Sequence, residues 1–105
     1  MTESDIAWLS GIYEGEGCLS KDKRKRSTWR IKVTMTDFDI IQRLQVLTGL
    51  GNISTATKQA DHHKTSYNWI VYRKEEIRFL LTQMIPYLGN RRGYDALNAL
   101  DNIEL

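Results

Sequence analysis

Glu14 and Glu16 are the carboxylates of this chain best placed to do chemistry. They end the stretch Leu9-Ser10-Gly11-Ile12-Tyr13-Glu14-Gly15-Glu16-Gly17. The spacing of Ile6, Leu9, Ile12 and Tyr13 puts that stretch on a helix starting near Ser4, capped by Ser4 or Thr2 and ended by Gly15 and Gly17. A helix macrodipole is negative at its C-terminal end, so acids there are misplaced by about 0.3–1 kcal/mol each. Ala7, Gly11 and Gly15 lie four apart and leave one face of the helix almost bare. A helical glycine costs roughly 0.5–1 kcal/mol relative to alanine, so two in one stripe imply close approach of a second backbone. A bare helix facing another helix and ending in carboxylates suggests a metal site at an interface.

The second chemical signal is cationic. Lys21, Lys23, Arg24, Lys25, Arg26, Arg30 and Lys32 fall within twelve residues, opposed only by Asp22. The run spans a predicted hairpin: a first strand from Cys18 to about Lys25, a charged turn, and a second strand from Trp29 to Thr36. In the second strand Trp29, Ile31, Val33 and Met35 take one face, while Arg30, Lys32, Thr34 and Thr36 take the other. Two further strands are expected over Gly51–Lys58 and Ser66–Arg73. On a period-two reading the free face of the sheet carries Arg30, Lys32, Thr34, Thr36, Ser54, Thr57, Lys58, Tyr67, Asn68 and Arg73. These side-chain types reach phosphates and base edges, and a β-ribbon fits the major groove of DNA. An eight-residue strand spans about 26 Å at roughly 3.3 Å per residue, or about seven to eight base pairs, so one copy covers half of a long site.

The elements that position these groups follow from periodicity. A second helix starts at Asp37 or Thr36, carries Phe38, Ile41, Leu44, Val46 and Leu47 on its apolar stripe, and closes at Gly49. A third covers Lys74 to Met84, with Ile77, Leu80, Leu81 and Met84 inward, and ends before Pro86. A last short helix covers Tyr94 to Leu105, with Leu97 and Leu100 on its apolar side. The order is α, β-hairpin, α, β-hairpin, α, α, which predicts an α+β domain: an antiparallel or mixed four-stranded sheet with helices on one face. All 105 residues form one domain, and the 41% hydrophobic and 27% charged shares are those of a globular protein. No apolar run approaches the roughly 18–20 residues of a membrane span, and the polar, acidic N-terminus is not a signal peptide. Cys18, read as a small buried residue starting a strand, forms no internal disulfide and fits a reducing cytoplasm. His62 and His63 are read as exposed loop residues rather than metal ligands. The net charge of +2 does not by itself announce a nucleic-acid partner; the one-sided hairpin does.

The nonapeptide Leu9–Gly17 resembles the LAGLIDADG motif of the homing endonucleases. The helix and strand order looks like that family's αββαββα(α) fold, with its saddle-shaped sheet. Leu80-Leu81-Thr82-Gln83-Met84-Ile85-Pro86-Tyr87-Leu88, followed by basic residues, is similar to the family's segment after the fourth strand. With one copy of the motif, the resemblance is to the single-motif, homodimeric type. It implies that Gly11 and Gly15, with Ala7 and Glu14, form a two-fold seam with the same helix of a second chain, and that Glu14 steadies that junction. Glu16, with Gly15 beside it, would hold a divalent metal, Mg²⁺ or Mn²⁺. Arg91 would stabilise the scissile phosphate or polarise the attacking water, and Arg92 would join the DNA-binding residues. Thr34 or Thr36 would take the family's polar strand position.

The implied activity is site-specific, metal-dependent hydrolysis of double-stranded DNA at a pseudo-palindromic site, with no membrane or small-molecule substrate involved. The implied setting is cytoplasmic or nucleoid-associated. The alternative keeps the fold without the cut: a DNA- or RNA-binding module such as a maturase or regulator. Glutamate stands where the motif has aspartate at both acidic positions, and the basic candidate is arginine, a poorer proton shuttle than lysine.

Overall fold

The computed structural model describes residues 1–22, 28–56 and 64–103. Lys23, Arg24, Lys25, Arg26, Thr57, Lys58, His62 and His63 lie outside the described residues. The N-terminal helix α1 (Glu3–Glu16) starts in a capping box: the Thr2 hydroxyl accepts from the Asp5 N–H, and the Asp5 carboxylate accepts from the Thr2 N–H. Strands β1 (Gly17–Asp22) and β2 (Thr28–Met35) follow, then α2 (Phe38–Thr48), β3 (Asn52–Thr55) and β4 (Tyr67–Val71). The chain ends with α3 (Lys74–Met84), a 3-10 turn over Ile85–Tyr87 that contains Pro86, and α4 (Asn90–Asn102). The sheet order is β1-β2-β4-β3 and every pairing is antiparallel. No described helix is long and apolar enough to cross a membrane.

Strand alternation builds the core. Ile31 and Val33 of β2 and Trp69 and Val71 of β4 point to the helix side and are fully enclosed. There they meet Leu9 and Tyr13 of α1, Ile41 and Leu44 of α2, and Ile77, Leu80, Leu81 and Met84 of α3. The inward set expected for α3 is observed in full. Elsewhere the apolar spacing overreached. Val46 is 76% exposed, Phe38 lies at the rim with its ring edge-on to Tyr67, and α2 is anchored by Ile41 and Leu44. In α4 the buried residues are Ala96 and Ala99, while Leu97 faces solvent. That helix also begins four residues earlier than Tyr94, because Gly93 continues it rather than breaking it.

Register corrects three face assignments. Tyr67 pairs with Met35 and Thr55 and so lies on the helix side, not the free face. Lys21 pairs with Trp29 on the helix side, its ammonium 5.9 Å from that ring. Cys18 pairs with Lys32 on the free face and is exposed, not buried. β3 and β4 are also shorter than expected. Arg73 is therefore not a strand residue; it is the N-cap of α3, where it meets Glu76 at 3.9 Å.

The passage from α1 to β1 has no loop. Glu16 is the last helical residue and Gly17 the first of the strand. A Cβ on Gly17 would lie 2.5 Å from Tyr13 Cδ1 and 2.7 Å from the Tyr13 carbonyl oxygen, so only glycine fits under that ring. The Tyr13 ring is buried and its hydroxyl has no hydrogen-bond partner among the described residues. Burial pushes the hydroxyl up to about 12 from an ordinary 10.0, with the nearby Arg92 guanidinium pulling the other way. A raised value means that the folded chain holds this proton more tightly than the unfolded chain. The stabilisation is complete below pH 10 and is lost as pH rises through about 12. Tyr13→Phe should therefore fold without losing any bond and flatten the alkaline decline of stability over that window. Urea denaturation across a pH series checks this, and parallel declines in the two proteins would contradict it.

Candidate functional site

The exposed stripe of α1 is observed as expected. Ala7, Gly11 and Gly15 are all exposed. A Cβ built on Gly11 or Gly15 meets nothing within 4 Å. Nothing inside the protomer requires glycine at either place, in contrast to Gly17. Beside the stripe, Trp8 is half-buried and covered by the Arg43 guanidinium, 4.0 Å from the ring centroid.

The two carboxylates at the end of α1 have different surroundings. Glu14 faces its own chain. Its Oε1 accepts from the Gly89 N–H at 2.5 Å, and its Oε2 lies 3.8 Å from Arg92 Nε. Gly89 is the N-cap of α4, so an acid at the negative end of one helix meets the positive end of another. Arg92 also lies over the Tyr13 ring at 5.4 Å, and its side chain is only 15% exposed. Arg92, expected among the DNA-binding residues, is packed into the α1–α4 junction. Glu14, placed in the seam by the sequence reading, spends its carboxylate on α4. Arg91 is the next residue round the helix, about 100° away, and it is exposed.

Glu16 is exposed and lines an open pocket with Thr34, Met35, Thr36, Asp37 and Ser66. Thr34 and Thr36 are thus brought to the carboxylate singled out from sequence. Asp37 and Ser66 were missed. Asp37 read as a helix cap, and it is the N-cap of α2, but its side chain makes no capping bond, so its carboxylate is available to the pocket. Ser66, expected as the first residue of the fourth strand, lies just before β4. The Glu16 carboxylate and the main-chain carbonyl of Gly15, in a last turn whose carbonyls lack intrahelical partners, are hard oxygen donors suited to Mg²⁺ or Ca²⁺. Among the described residues no group of three His, Cys, Asp or Glu is placed to hold a metal.

The free face of the sheet carries Cys18, Ser20, Thr28, Arg30, Lys32, Thr34, Asn52, Ser54, Asn68 and Ile70 by register. Of the basic residues expected there, Arg30 and Lys32 are in place. Asn68 is at the centre of the face, 9% exposed, between Thr34 and Ser54.

A family model described as a LAGLIDADG-like domain matches residues 3–84. The chain belongs to the LAGLIDADG family. No curated protein sequence matches it. Among solved structures, the homing endonuclease I-CvuI, in complex with its target in the presence of calcium, has a TM-score of 0.72 at 20% identity, covering 94% of this chain and 65% of that chain. The archaeal intron-encoded homing endonuclease I-Vdi141I, complexed with DNA, has a TM-score of 0.72 at 16% identity, covering 94% and 66%. The LAGLIDADG homing endonuclease I-GzeII, in complex with its DNA target, has a TM-score of 0.70 at 16% identity, covering 91% and 34%. At these identities the likeness is one of fold: this chain has the LAGLIDADG homing-endonuclease fold. It spans about two thirds of the first two proteins and about a third of the last.

Within that fold Glu14 ties the end of the motif helix to the start of α4. Glu14→Ala should free the Gly89 amide and leave Arg92 half-buried without its carboxylate, at a cost of about 1–3 kcal/mol. Amide hydrogen exchange at Gly89 should lose its protection while the strands keep theirs. Unchanged exchange at Gly89 would show that the contact holds nothing.

Proposed function

We propose that this chain is a site-specific double-strand DNA endonuclease that works as a homodimer on a pseudo-palindromic site with Mg²⁺ or Mn²⁺. The observation that carries this reading is the pairing of a bare, open glycine stripe with an exposed Glu16 at its end, on the motif helix of a LAGLIDADG domain. The stripe lets a second α1 approach closely, and two-fold symmetry then places two copies of Glu16 beside one axis. The DNA complexes of I-CvuI, I-Vdi141I and I-GzeII support a duplex as the ligand of the shared fold.

In this reading Arg30 and Lys32 engage phosphates on the free face and fix the register of the duplex. Glu16, with the Gly15 carbonyl, would hold the cation. Bound there, a divalent metal supplies a polarised water near neutral pH and counter-charge for the leaving oxygen. Arg91, exposed at the start of α4, presents a permanent cation to the scissile phosphate. Glu14 and Arg92 hold the α4 terminus that carries it. Glu16 is one methylene longer than the aspartate of the motif, and the open pocket around it leaves room for that length.

Incubation with a randomised duplex library and Mg²⁺ tests the assignment. Wild type should bind and cut, and Glu16→Gln should bind without cutting. Wild-type binding with no cleavage under any divalent metal would assign the chain to the binding-only alternative, a maturase or regulator. Gly15→Leu separately tests the seam. The protomer has room for the side chain, so the variant should fold normally yet sediment as a monomer. A dimeric Gly15→Leu protein would place the interface elsewhere.

A further inference from the structure

Among the described residues, the free face of the sheet contains one buried polar side chain, and its bonds have a direction. Thr34, Asn68 and Ser54 lie directly opposite one another on β2, β4 and β3. The Thr34 hydroxyl donates to Asn68 Oδ1 at 2.7 Å, and Asn68 Nδ2 donates to Ser54 Oγ at 3.4 Å. The first has the usual O–H···O length, and the second is a long, weak N–H···O bond. A hydroxyl has one proton and two lone pairs. Thr34 spends its proton on Asn68 and presents only lone pairs to the outside. Ser54 receives the amide proton on one lone pair and keeps its own proton to donate, beside its second lone pair. Thr34 and Ser54 are exposed, while Asn68 beneath them is not.

We propose that Asn68 is a positioning residue that polarises this face, so that Ser54 is free to donate to a bound duplex while Thr34 can only accept from it. The proposal rests on the reading that DNA binds this face. In the major groove a donor at Ser54 selects guanine O6 or N7, adenine N7 or thymine O4. An acceptor at Thr34 takes an amino hydrogen of cytosine or adenine. The sequence reading counted Asn68 itself among the DNA contacts; its burial gives it instead the role of setting what its two neighbours can read. A single hydrogen bond of this kind is worth about three- to tenfold in base discrimination.

Base-preference profiles from a randomised duplex library, measured for binding without metal, test this. Ser54→Ala marks the base pair that Ser54 reads by erasing the preference there. Asn68→Asp offers only acceptors, so Ser54 must turn its proton inward and become an acceptor. The preference at the marked pair should then invert by about three- to tenfold, while the Thr34 bond and its preference persist. Asn68→Leu frees both hydroxyls to rotate and should flatten both preferences, with the salt dependence of affinity set by Arg30 and Lys32 unchanged. Wild-type profiles in both Asn68 variants, or a uniform loss of affinity with the profile intact, would overturn the proposal while leaving DNA binding in place. Failure of the wild type to bind any duplex would overturn the DNA reading, and this inference with it.

Discussion

The arrangement depends on the close packing of Tyr13 against Gly17. With no loop between α1 and β1, the direction in which the helix delivers the chain to the sheet is set by whatever lies in the angle between them. That angle is filled by the Tyr13 ring, which leaves no room for a Cβ on Gly17. The consequence is geometric. Glu16, the last helical residue, must emerge at the edge of the sheet next to the end of β2, where Thr34, Thr36 and Asp37 wait. A longer connection would let the carboxylate swing. A side chain at Gly17 would push the helix off the core that Leu9 and Tyr13 anchor.

The same junction resolves an electrostatic conflict. Acids at the C-terminal end of α1 and arginines in the first turn of α4 are each unfavourable for their own helix. The fold brings the two ends together, so Glu14 meets both the Gly89 amide and Arg92. One acid and one arginine are satisfied within the chain. Glu16 and Arg91 differ from them only by position along their helices, yet both are exposed. The junction thus sorts four like-looking charges into an internal pair and an external pair, and the external pair is what remains for a ligand.

Much of this was legible in the sequence where periodicity and burial agree. The whole inward set of α3, the alternation of β2 and the bare stripe of α1 follow from spacing alone. Spacing failed where the outcome depends on contacts between distant segments. Glu14 and Arg92 are 78 positions apart, and no local pattern distinguishes Glu14 from Glu16 or Arg92 from Arg91. Tyr67 and Asn68 could not both lie on one face of a strand, and strict alternation already forbade it. Asp37 looked fully explained as a helix cap, and only its missing capping bond reveals a carboxylate left for the pocket. Ala96 and Ala99 were overlooked because small residues carry little weight in an apolar stripe, although close helix packing favours them.

What the chain leaves exposed is more informative than what it buries. Its core is closed, its register is fixed on both hairpins, and the α1–α4 junction is internally compensated. Against that background three features stand out: glycines with empty space beside them, a helix-end carboxylate in a polar pocket, and a sheet face with cations and oriented hydroxyls. They are contiguous through α1, because the stripe ends at Gly15, the carboxylate follows at Glu16, and β1 opens the sheet at Gly17. Three separate accidents would have no reason to share one end of one helix. The proposed assembly, with a second copy on the stripe and a nucleic acid across the face, would account for all three and would put the carboxylates where the two meet.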